Sequence, residues 1–169
     1  ADRHYETALQ TVFRPDGSTF HTYFFNDLGE PVRGATRQGY SDDSAWARGQ
    51  AWAIYGTALH YYDTHDAGAF QTFKAVTHFF LNRLPPDHVP YWDLIFQAGS
   101  GQSRDTSSAA IAVCGMHEML KYLPEADPDK SVYQVAMHAQ LKSLIQKYAM
   151  PMDGQAVEPL LRHGVYSWH

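Results

Sequence analysis

The sequence predicts an all-α fold made of helical hairpins, with a small β-hairpin arm near the N-terminus. Three observations lead to this prediction. Apolar residues recur at helical spacing in four segments after residue 44, and long loops separate these segments into pairs. The segment before them, 1–43, is instead rich in turns and aromatic side chains. Paired helices that alternate with long loops are the repeating unit of an α/α toroid.

Segment 1–43 predicts an aromatic loop that carries a little sheet. Turn-forming residues cluster at 15–18, 26–29 and 31–34. The run at 19–25, between the first two clusters, is β-branched and aromatic. A run of this kind, bounded by turns, is typical of a short strand or a hairpin arm.

Four helices follow, each marked by apolar periodicity and by residues that begin or end helices. Two consecutive prolines, Pro85 and Pro86, end the second helix. The N-cap candidates are Asp42, Asp43 and Ser44 for the first helix and Asp105 or Thr106 for the third. The predicted ranges are 44–63, 68–83, 104–122 and 128–148, followed by a terminal loop at 149–169.

The same periodicity predicts which face of each helix packs in the core. Cys114 lies on such a face and is expected to be a core residue rather than a nucleophile. The predicted faces are Trp46, Gly49, Trp52, Ala53, Gly56, Leu59 and Tyr62 on the first helix; Phe70, Phe73, Val76, Thr77, Phe80 and Leu81 on the second; Ala110, Val113, Cys114, His117 and Leu120 on the third; Val132, Val135, Ala136, Ala139, Leu141, Leu144 and Ile145 on the fourth.

Length and composition exclude several classes of protein. With 169 residues, of which 44% are apolar, the chain can build the core of a single domain. The net charge of −5 is spread without a basic run, so we expect no nucleic-acid partner. The longest apolar stretches are too short to span a bilayer, so we expect no membrane partner.

Cysteine and histidine content limits the chemistry further. A single cysteine cannot form an internal disulfide, and the first residues show neither the basic nor the apolar region of a signal peptide. The compartment therefore stays open. His60 and His65 are five residues apart, and none of the ten histidines forms the helical pair of a zinc site, so we expect no metal.

The densest group of chemically capable residues lies just before and within the first predicted helix. Free amides and the positive dipole end of a helix N-terminus suit an anionic ligand. Arg48 can bind a carboxylate with two hydrogen bonds, and Trp46 or Trp52 can stack beside it. A structural interpretation also fits the spacing, with both tryptophans in the core, Arg48 paired, and Gly34 and Gly39 in turns.

Segment 34–52 reads GATRQGYSDDSAWARGQAW and resembles the signature of unsaturated glucuronyl hydrolases, glycoside hydrolase family 88. Unsaturated rhamnogalacturonyl hydrolases resemble it less, because they usually carry Arg-Gly-Asn-Gly-Trp where this chain has RGQAW at 48–52. The resemblance covers nearly the whole chain in order, through RPDGS at 14–18, His21, IYG at 54–56, VPYWD at 89–93, RDTSSA at 104–109 and GVYS at 164–167.

This resemblance implies an (α/α)6 barrel and a bacterial enzyme that removes 4,5-unsaturated uronic acid from the non-reducing end of lyase-generated oligosaccharides. An aspartate of the family protonates C4 of the enol ether, water adds at C5, and the resulting hemiketal opens. The reaction needs no metal and no organic cofactor, and the resemblance leaves both a cytoplasmic and an exported location open. The substrate-binding positions that match the family are His21, Gly34, Thr36, Gln38, Trp46, Arg48, Trp52 and Ser167.

The resemblance also implies that this chain is the C-terminal part of a larger barrel. The family's catalytic aspartate lies in a segment before everything matched here, so we assign no catalytic residue to this chain. Its carboxylates at Asp42, Asp43, Asp93 and Asp105 are interpreted as structural, as helix caps or as partners of Arg104.

A ring of twelve helices needs at least about 200 residues, whereas this chain predicts four helices. We therefore expect residues 1–169 to form one partial barrel domain that is inactive alone. Its uncovered apolar faces should associate with the missing N-terminal half of the same protein or with a second copy. Two alternatives stay open: a non-catalytic sugar-binding or interaction module, and a fragment of an unsaturated rhamnogalacturonyl hydrolase.

Overall fold

The computed structural model describes residues 2–150 and 160–165. This part of the chain is mostly helical, with a small two-stranded antiparallel sheet, as the sequence predicts. In order, the elements are α1 (Asp2–Thr11), β1 (Thr22–Phe25), β2 (Pro31–Ala35), α2 (Ala47–Thr64), α3 (Ala67–Leu81), α4 (Thr106–Leu120), α5 (Pro128–Ser143) and a π-helical turn (Leu144–Tyr148) that continues α5.

The four long helices form two hairpins that lie side by side. Helix α2 makes its most extensive interface with α4, and the two helices run in the same direction. Arg48 meets Asp105 at their N-terminal ends, and Gly115 approaches Tyr55 midway along both. Helices α3 and α5 pack against α2 and α4 respectively, so the core lies between all four. Its largest fully buried apolar side chains are Ile54, Phe73, Phe80, Met116, Met119 and Tyr133.

One buried amide joins the arm to this helical core. Gln50 of α2 is fully buried, and its Nε2 donates to the carbonyl oxygens of Gly17 (2.7 Å) and Val76 (3.0 Å). Its Oε1 accepts a hydrogen bond of 3.1 Å from Thr19 Oγ1. Because a buried amide without partners would be costly, these bonds fix the position of the arm against α2 and α3.

The hairpin arm has the predicted strand and turn. β1 and β2 pair antiparallel with Thr22 opposite Ala35 and Tyr23 opposite Gly34. Asn26 Oδ1 accepts from the backbone of Leu28 at 3.0 Å and so closes the turn between the strands. The strand begins at Thr22, so His21 lies directly before it.

Helix α2 begins three residues later than predicted, at Ala47, and the cap prediction was wrong. The residue at the N-cap position is Trp46, which makes no capping hydrogen bond. Asp42 and Ser44 do not cap the helix because loop contacts occupy them: Asp42 Oδ1 accepts from the Thr36 amide, and Ser44 Oγ donates to Asp93. The other predicted cap is confirmed, since the Asp105 side chain accepts from the Ser107 amide at the start of α4.

The predicted core face was right for α3. On α2, α4 and α5, however, many of the residues predicted for the core are not buried. Helix α2 packs through Ala47, Ala51, Ile54 and Ala58, because these small side chains allow α4 to approach closely, and its aromatic stripe faces outward. Helix α4 likewise packs through a face next to the predicted one, so Cys114 is exposed rather than in the core. The predicted core residues that are exposed are Trp52, Gly56, Leu59, Tyr62, Cys114, His117, Val132, Val135, Leu141 and Ile145.

Helix α1 has no counterpart among the predicted elements. Its Tyr5 ring stacks on the His60 ring of α2, with centroids 3.7 Å apart and an interplanar angle of 20°. This helix is polar on average but amphipathic, and contacts such as the Tyr5–His60 stack hold it against α2. Among the residues in the two described ranges, no helix is long and apolar enough to cross a membrane.

The close crossing of α2 and α4 generates a stability prediction. A Cβ added at Gly115 would lie 2.9 Å from both the amide nitrogen and the Cα of Tyr55. We expect Gly115→Ala to lower the free energy of unfolding of the chain by about 2 kcal/mol, because backbone atoms of α2 must move. Urea unfolding monitored by circular dichroism measures this change.

The matched control is Gly56→Ala on α2, where a Cβ would meet no atom within 4 Å. This substitution should leave stability unchanged or raise it by up to about 1 kcal/mol, since alanine favours the helix. Equal effects of the two substitutions would contradict the assignment of Gly115 to the helix crossing.

Candidate functional site

A buried carboxylate holds the loop that leads into α2. Asp93 is fully buried, and its Oδ2 accepts hydrogen bonds from the Tyr40 amide (2.9 Å) and from Ser44 Oγ (2.6 Å). Its Oδ1 accepts from the Ile95 amide at 3.1 Å. A Cβ at Gly39 would lie only 3.0 Å from Asp93 Oδ2, so glycine is needed there for close approach. The interpretation of Asp93 as structural is confirmed, although its partners are the loop rather than Arg104.

His21 binds to the same loop through one ring nitrogen. The amides of Arg37 and Gln38 donate to His21 Nδ1 over 3.0 and 3.1 Å, and Thr36 Oγ1 lies 3.4 Å away. Burial, and secondly the positive charge of Arg37, lower the pKa of His21. The fold thus brings together His21, Thr36 and Gln38, as the family resemblance implies, and holds the imidazole neutral.

Trp46 lies against His21 at the start of α2. The centroids of its ring and of the His21 ring are 4.4 Å apart, with an interplanar angle of 39°. The residue is only 9% exposed, yet it contributes to the wall of a cleft. Trp46 is thus a core residue whose ring packs on Gly49 and also lines a concave surface, and its part in substrate binding stays a prediction.

Arg48 binds a carboxylate of the chain itself. Its Nε donates to Asp105 Oδ2 at 3.1 Å and one terminal nitrogen to Oδ1 at 3.3 Å, and Asp105 is fully buried. The same nitrogen also donates to the carbonyl oxygen of Val165. The prediction that Asp105 pairs with Arg104 was wrong, because Arg104 instead binds Asp87. The Arg48–Asp105 pair joins the N-terminal ends of α2 and α4, as two hydrogen bonds to a buried carboxylate require a fixed geometry.

The first two glycines of the motif, Gly34 and Gly39, are explained by close packing, and neither has a positive φ. A Cβ at Gly34 would lie 2.3 Å from the Phe20 ring, and one at Gly39 would lie 2.5 Å from Thr36 Oγ1. The expectation of a turn glycine was therefore wrong for Gly34, which lies on a strand, whereas Gly39 lies in a bend of the loop. Gly34 lies on β2 beneath an aromatic ring, and its absent side chain brings the arm close to the site.

Trp52 is the most exposed of the predicted site residues on α2. About half of its surface, 52%, is exposed, and its indole lies nearly parallel to the Tyr55 ring at 6.4 Å. Trp52 and Trp46 border a cleft of about 540 Å³ between α1, the arm and α2. The remaining site side chain in this cleft is His21, and other lining residues include Tyr5, Phe20, Gly49, Leu59, His60 and Asp63.

The N-terminus of α2 adds positive potential to this region. Trp46 at the N-cap has no side-chain oxygen, so no side chain occupies the first amides of the helix. The guanidinium carbon of Arg48 lies 5.3 Å from the Trp46 ring centroid. The Ala47 amide donates to the Trp92 carbonyl oxygen, and Arg48 is paired with Asp105, so the helix dipole and the next amides of the first turn are what favour an anionic ligand here.

Near the cleft, the carboxylates of Asp42, Asp63, Asp93 and Asp105 either bind other groups of the chain or lie far from the indoles of Trp46 and Trp52. Asp42 accepts from the Thr36 amide and pairs with Arg33, while Asp93 and Asp105 are buried as described above. Asp63 lines the far end of the cleft, about 16 Å along α2 from Trp52 at the rise of an α-helix. Ser167, the last of the predicted site residues, lies outside the described residues. Within the described ranges, no group of three or more His, Cys, Asp or Glu side chains could hold a metal.

The comparisons with known proteins give a consistent result. No protein-family model matches the sequence. The unsaturated chondroitin disaccharide hydrolase of Streptococcus pneumoniae is 57% identical over 170 aligned positions, which cover 100% of this chain and 43% of that protein. The unsaturated glucuronyl hydrolase of Streptococcus agalactiae has a crystal structure that superposes with a TM-score of 0.95 at 58% identity, covering 100% of this chain and 43% of that one.

A mutant of the Streptococcus agalactiae enzyme, solved in complex with dGlcA-GalNAc6S, also matches. Its TM-score is 0.85 at 55% identity, over 99% of this chain and 46% of that chain. The chain thus spans less than half the length of the curated relatives it matches. High identity over the entire chain, the shared fold and the shared motif identify its relationship: the chain belongs to the unsaturated glucuronyl hydrolase family.

Proposed function

We propose that the protein containing this chain removes 4,5-unsaturated uronic acid from the non-reducing end of lyase-generated oligosaccharides. Relatives at 57% and 58% identity are named unsaturated chondroitin disaccharide hydrolases. The substrate of this protein is therefore an unsaturated uronide of the glycosaminoglycan type. None of the relatives reported above is a rhamnogalacturonyl hydrolase, and nothing in the site favours that alternative.

The single observation that carries this proposal is the cleft between Trp52 and the His21–Trp46 pair. A half-exposed indole offers an apolar face to the C–H groups of a sugar ring, and polar groups opposite it can bind hydroxyls. The uncapped N-terminus of α2 suits the carboxylate of a uronide. Stacking, hydrogen bonding and anion binding within one cleft fit an acidic sugar better than a neutral or apolar ligand.

Each proposed substrate-binding residue has a distinct part in this wall. Trp52 stacks on the sugar, Trp46 backs the cleft, and His21 and Gln38 present hydrogen-bonding groups. Thr36 and Gly34 shape the loop and the arm around them. Arg48 is paired with buried Asp105, so we propose that it holds the start of α2 in place beside the cleft rather than binding the substrate carboxylate directly. Ser167 remains a proposed contact from the terminal segment.

The acid that begins the reaction comes from the rest of the protein in this proposal. Hydration of the enol ether needs a carboxylic acid to protonate C4 before water adds at C5 and the hemiketal opens. In the described part of the chain, the carboxylates near the cleft bind other groups of the protein or lie far from the indoles. A carboxylic acid that donates a proton near neutral pH needs an apolar or acidic environment, which the joined halves of a barrel would provide.

The complete protein is proposed to be an (α/α)6 barrel, with residues 1–169 as one partial domain. The side-by-side hairpins α2–α3 and α4–α5 supply the repeating unit. The outward face of α2 at the cleft, with Trp52 and Leu59, is the surface that the remaining helices would enclose. Its partner is therefore the remainder of the same protein.

The stacking role of Trp52 is tested in the full-length protein. We expect Trp52→Ala to lower kcat/KM for an unsaturated chondroitin disaccharide by about tenfold or more, because about 1.4 kcal/mol of ring contact is lost. Trp52→Phe should retain most of the activity. Loss of the enol ether absorbance measures the rate.

Tyr62→Ala is the matched control, since Tyr62 is a similarly exposed aromatic of α2 that lies outside the cleft. Its kcat/KM should stay within about twofold of the wild type. Equal losses in both variants, or no loss in Trp52→Ala, would refute the stacking role.

The location of the acid is tested with the purified 169-residue chain. We expect no loss of enol ether absorbance when this chain meets an unsaturated disaccharide, because no described carboxylate is placed to protonate C4. The full-length protein at equal concentration is the positive control. Turnover by the pure chain would place the acid within it, whereas binding without turnover by the full-length protein would favour a non-catalytic sugar-binding module.

A further inference from the structure

Three hydrogen-bond donors converge on one nitrogen of His21. The amides of Arg37 and Gln38 lie 3.0 and 3.1 Å from Nδ1, and Thr36 Oγ1 lies at 3.4 Å. The Thr36 hydroxyl itself accepts from the Gly39 amide at 2.7 Å, which leaves its proton available for Nδ1. The loop at 36–38 is therefore shaped around a ring nitrogen that accepts.

This arrangement determines where the imidazole proton lies. A backbone amide can only donate, so two of them facing one atom require a lone pair on that atom. Rotating the ring by 180° would place a C–H group against both amides and leave them without an acceptor. A neutral imidazole whose Nδ1 accepts must carry its proton on Nε2. Among the described residues, Nε2 has no hydrogen-bond partner, and His21 borders the cleft.

The charged groups around the ring favour the neutral form. Arg37 lies beside Nδ1, and Arg48 lies across the Trp46 ring. The carboxylates of Asp42 and Asp93 are occupied by the amides of Thr36 and Tyr40 and do not contact the ring. The other titratable groups of the cleft are His4, Tyr5, His60 and Asp63 on α1 and α2. Burial and Arg37 both lower the pKa of His21, in agreement with the geometry.

We propose that the loop at 36–38 locks His21 as the neutral Nε2–H tautomer, so that this histidine is an obligatory hydrogen-bond donor toward the cleft. Thr36 is the positioning residue, because its hydroxyl joins the Gly39 amide to Nδ1. The inference that the acceptor is an oxygen of the uronide rests on the proposed function above. The tautomer itself does not depend on that function.

A fixed donor has a defined part in the proposed reaction. It selects a substrate oxygen with a lone pair at its position and does not exchange protons with a nearby carboxylic acid. An imidazole that could become charged would instead compete for the proton that the enol ether needs. Locking the ring thus separates binding of the sugar from transfer of the proton.

The experiment uses ¹⁵N-histidine-labelled full-length protein and long-range ¹H–¹⁵N correlation spectra. Loss of one ring signal in His21→Gln assigns the His21 resonance. We expect the Nε2–H pattern at neutral pH and its persistence to about pH 6, where an unperturbed histidine is largely protonated. Because the Thr36 hydroxyl also binds the Gly39 amide, Thr36→Val should loosen the loop, move the Arg37 and Gln38 amides away from Nδ1 and populate the Nδ1–H tautomer or the imidazolium at that pH. Thr36→Ser should keep the wild-type pattern.

Activity gives a second and separate measurement. Thr36→Val should raise KM for an unsaturated chondroitin disaccharide by about fivefold, and Thr36→Ser should rescue it. An Nδ1–H or imidazolium pattern in the wild type at about pH 6, or an unchanged pattern in a folded Thr36→Val protein, would overturn the proposal. A locked tautomer in a protein without hydrolase activity would confirm the lock and refute the proposed function instead.

Discussion

The buried carboxylate of Asp93 is the contact on which the candidate site depends. Removing a carboxylate from water costs several kcal/mol unless donors surround it, and here Tyr40, Ser44 and Ile95 supply them. These bonds hold the loop against segment 92–94. In the same place, the Leu94 amide donates to the carbonyl oxygen of Ala45, and the Ala47 amide donates to that of Trp92. The loop that holds His21 is thereby attached to a fully buried group rather than to the surface.

A second buried carboxylate extends this support to the helices. Asp105 begins α4 and binds Arg48 of α2, so the positive N-terminal ends of two parallel helices meet beside the cleft. Gly115 lets the same helices approach closely further along. Buried contacts therefore support the base of the cleft, whereas the aromatic stripe of α2 above it is exposed in the described part of the chain. Such an arrangement suits one wall of a larger sugar-binding site.

Much of the fold could be predicted from sequence, because apolar periods mark α3 and α4 as helices, α3 packs through its predicted face, and Asp105 is a recognisable cap. The face of α2 could not, since this helix carries one stripe of small residues and another of aromatic residues, and periodicity alone does not say which packs inside. The start of α2 also escaped prediction because Asp42 and Ser44 serve the loop, through partners as distant in sequence as Asp93. For the site, the family motif named the residues, but only tertiary structure could show that Arg48 already holds Asp105.

The most direct test of this account is a crystal structure of the full-length protein with an unsaturated chondroitin disaccharide bound. The account predicts that the uronide ring stacks on Trp52, with His21 Nε2 within hydrogen-bond distance of one of its oxygens. The acid that faces C4 should come from outside residues 1–169. A disaccharide bound away from Trp52 and His21, or a carboxylate of this chain against C4, would contradict the claim that the chain forms the substrate-binding wall.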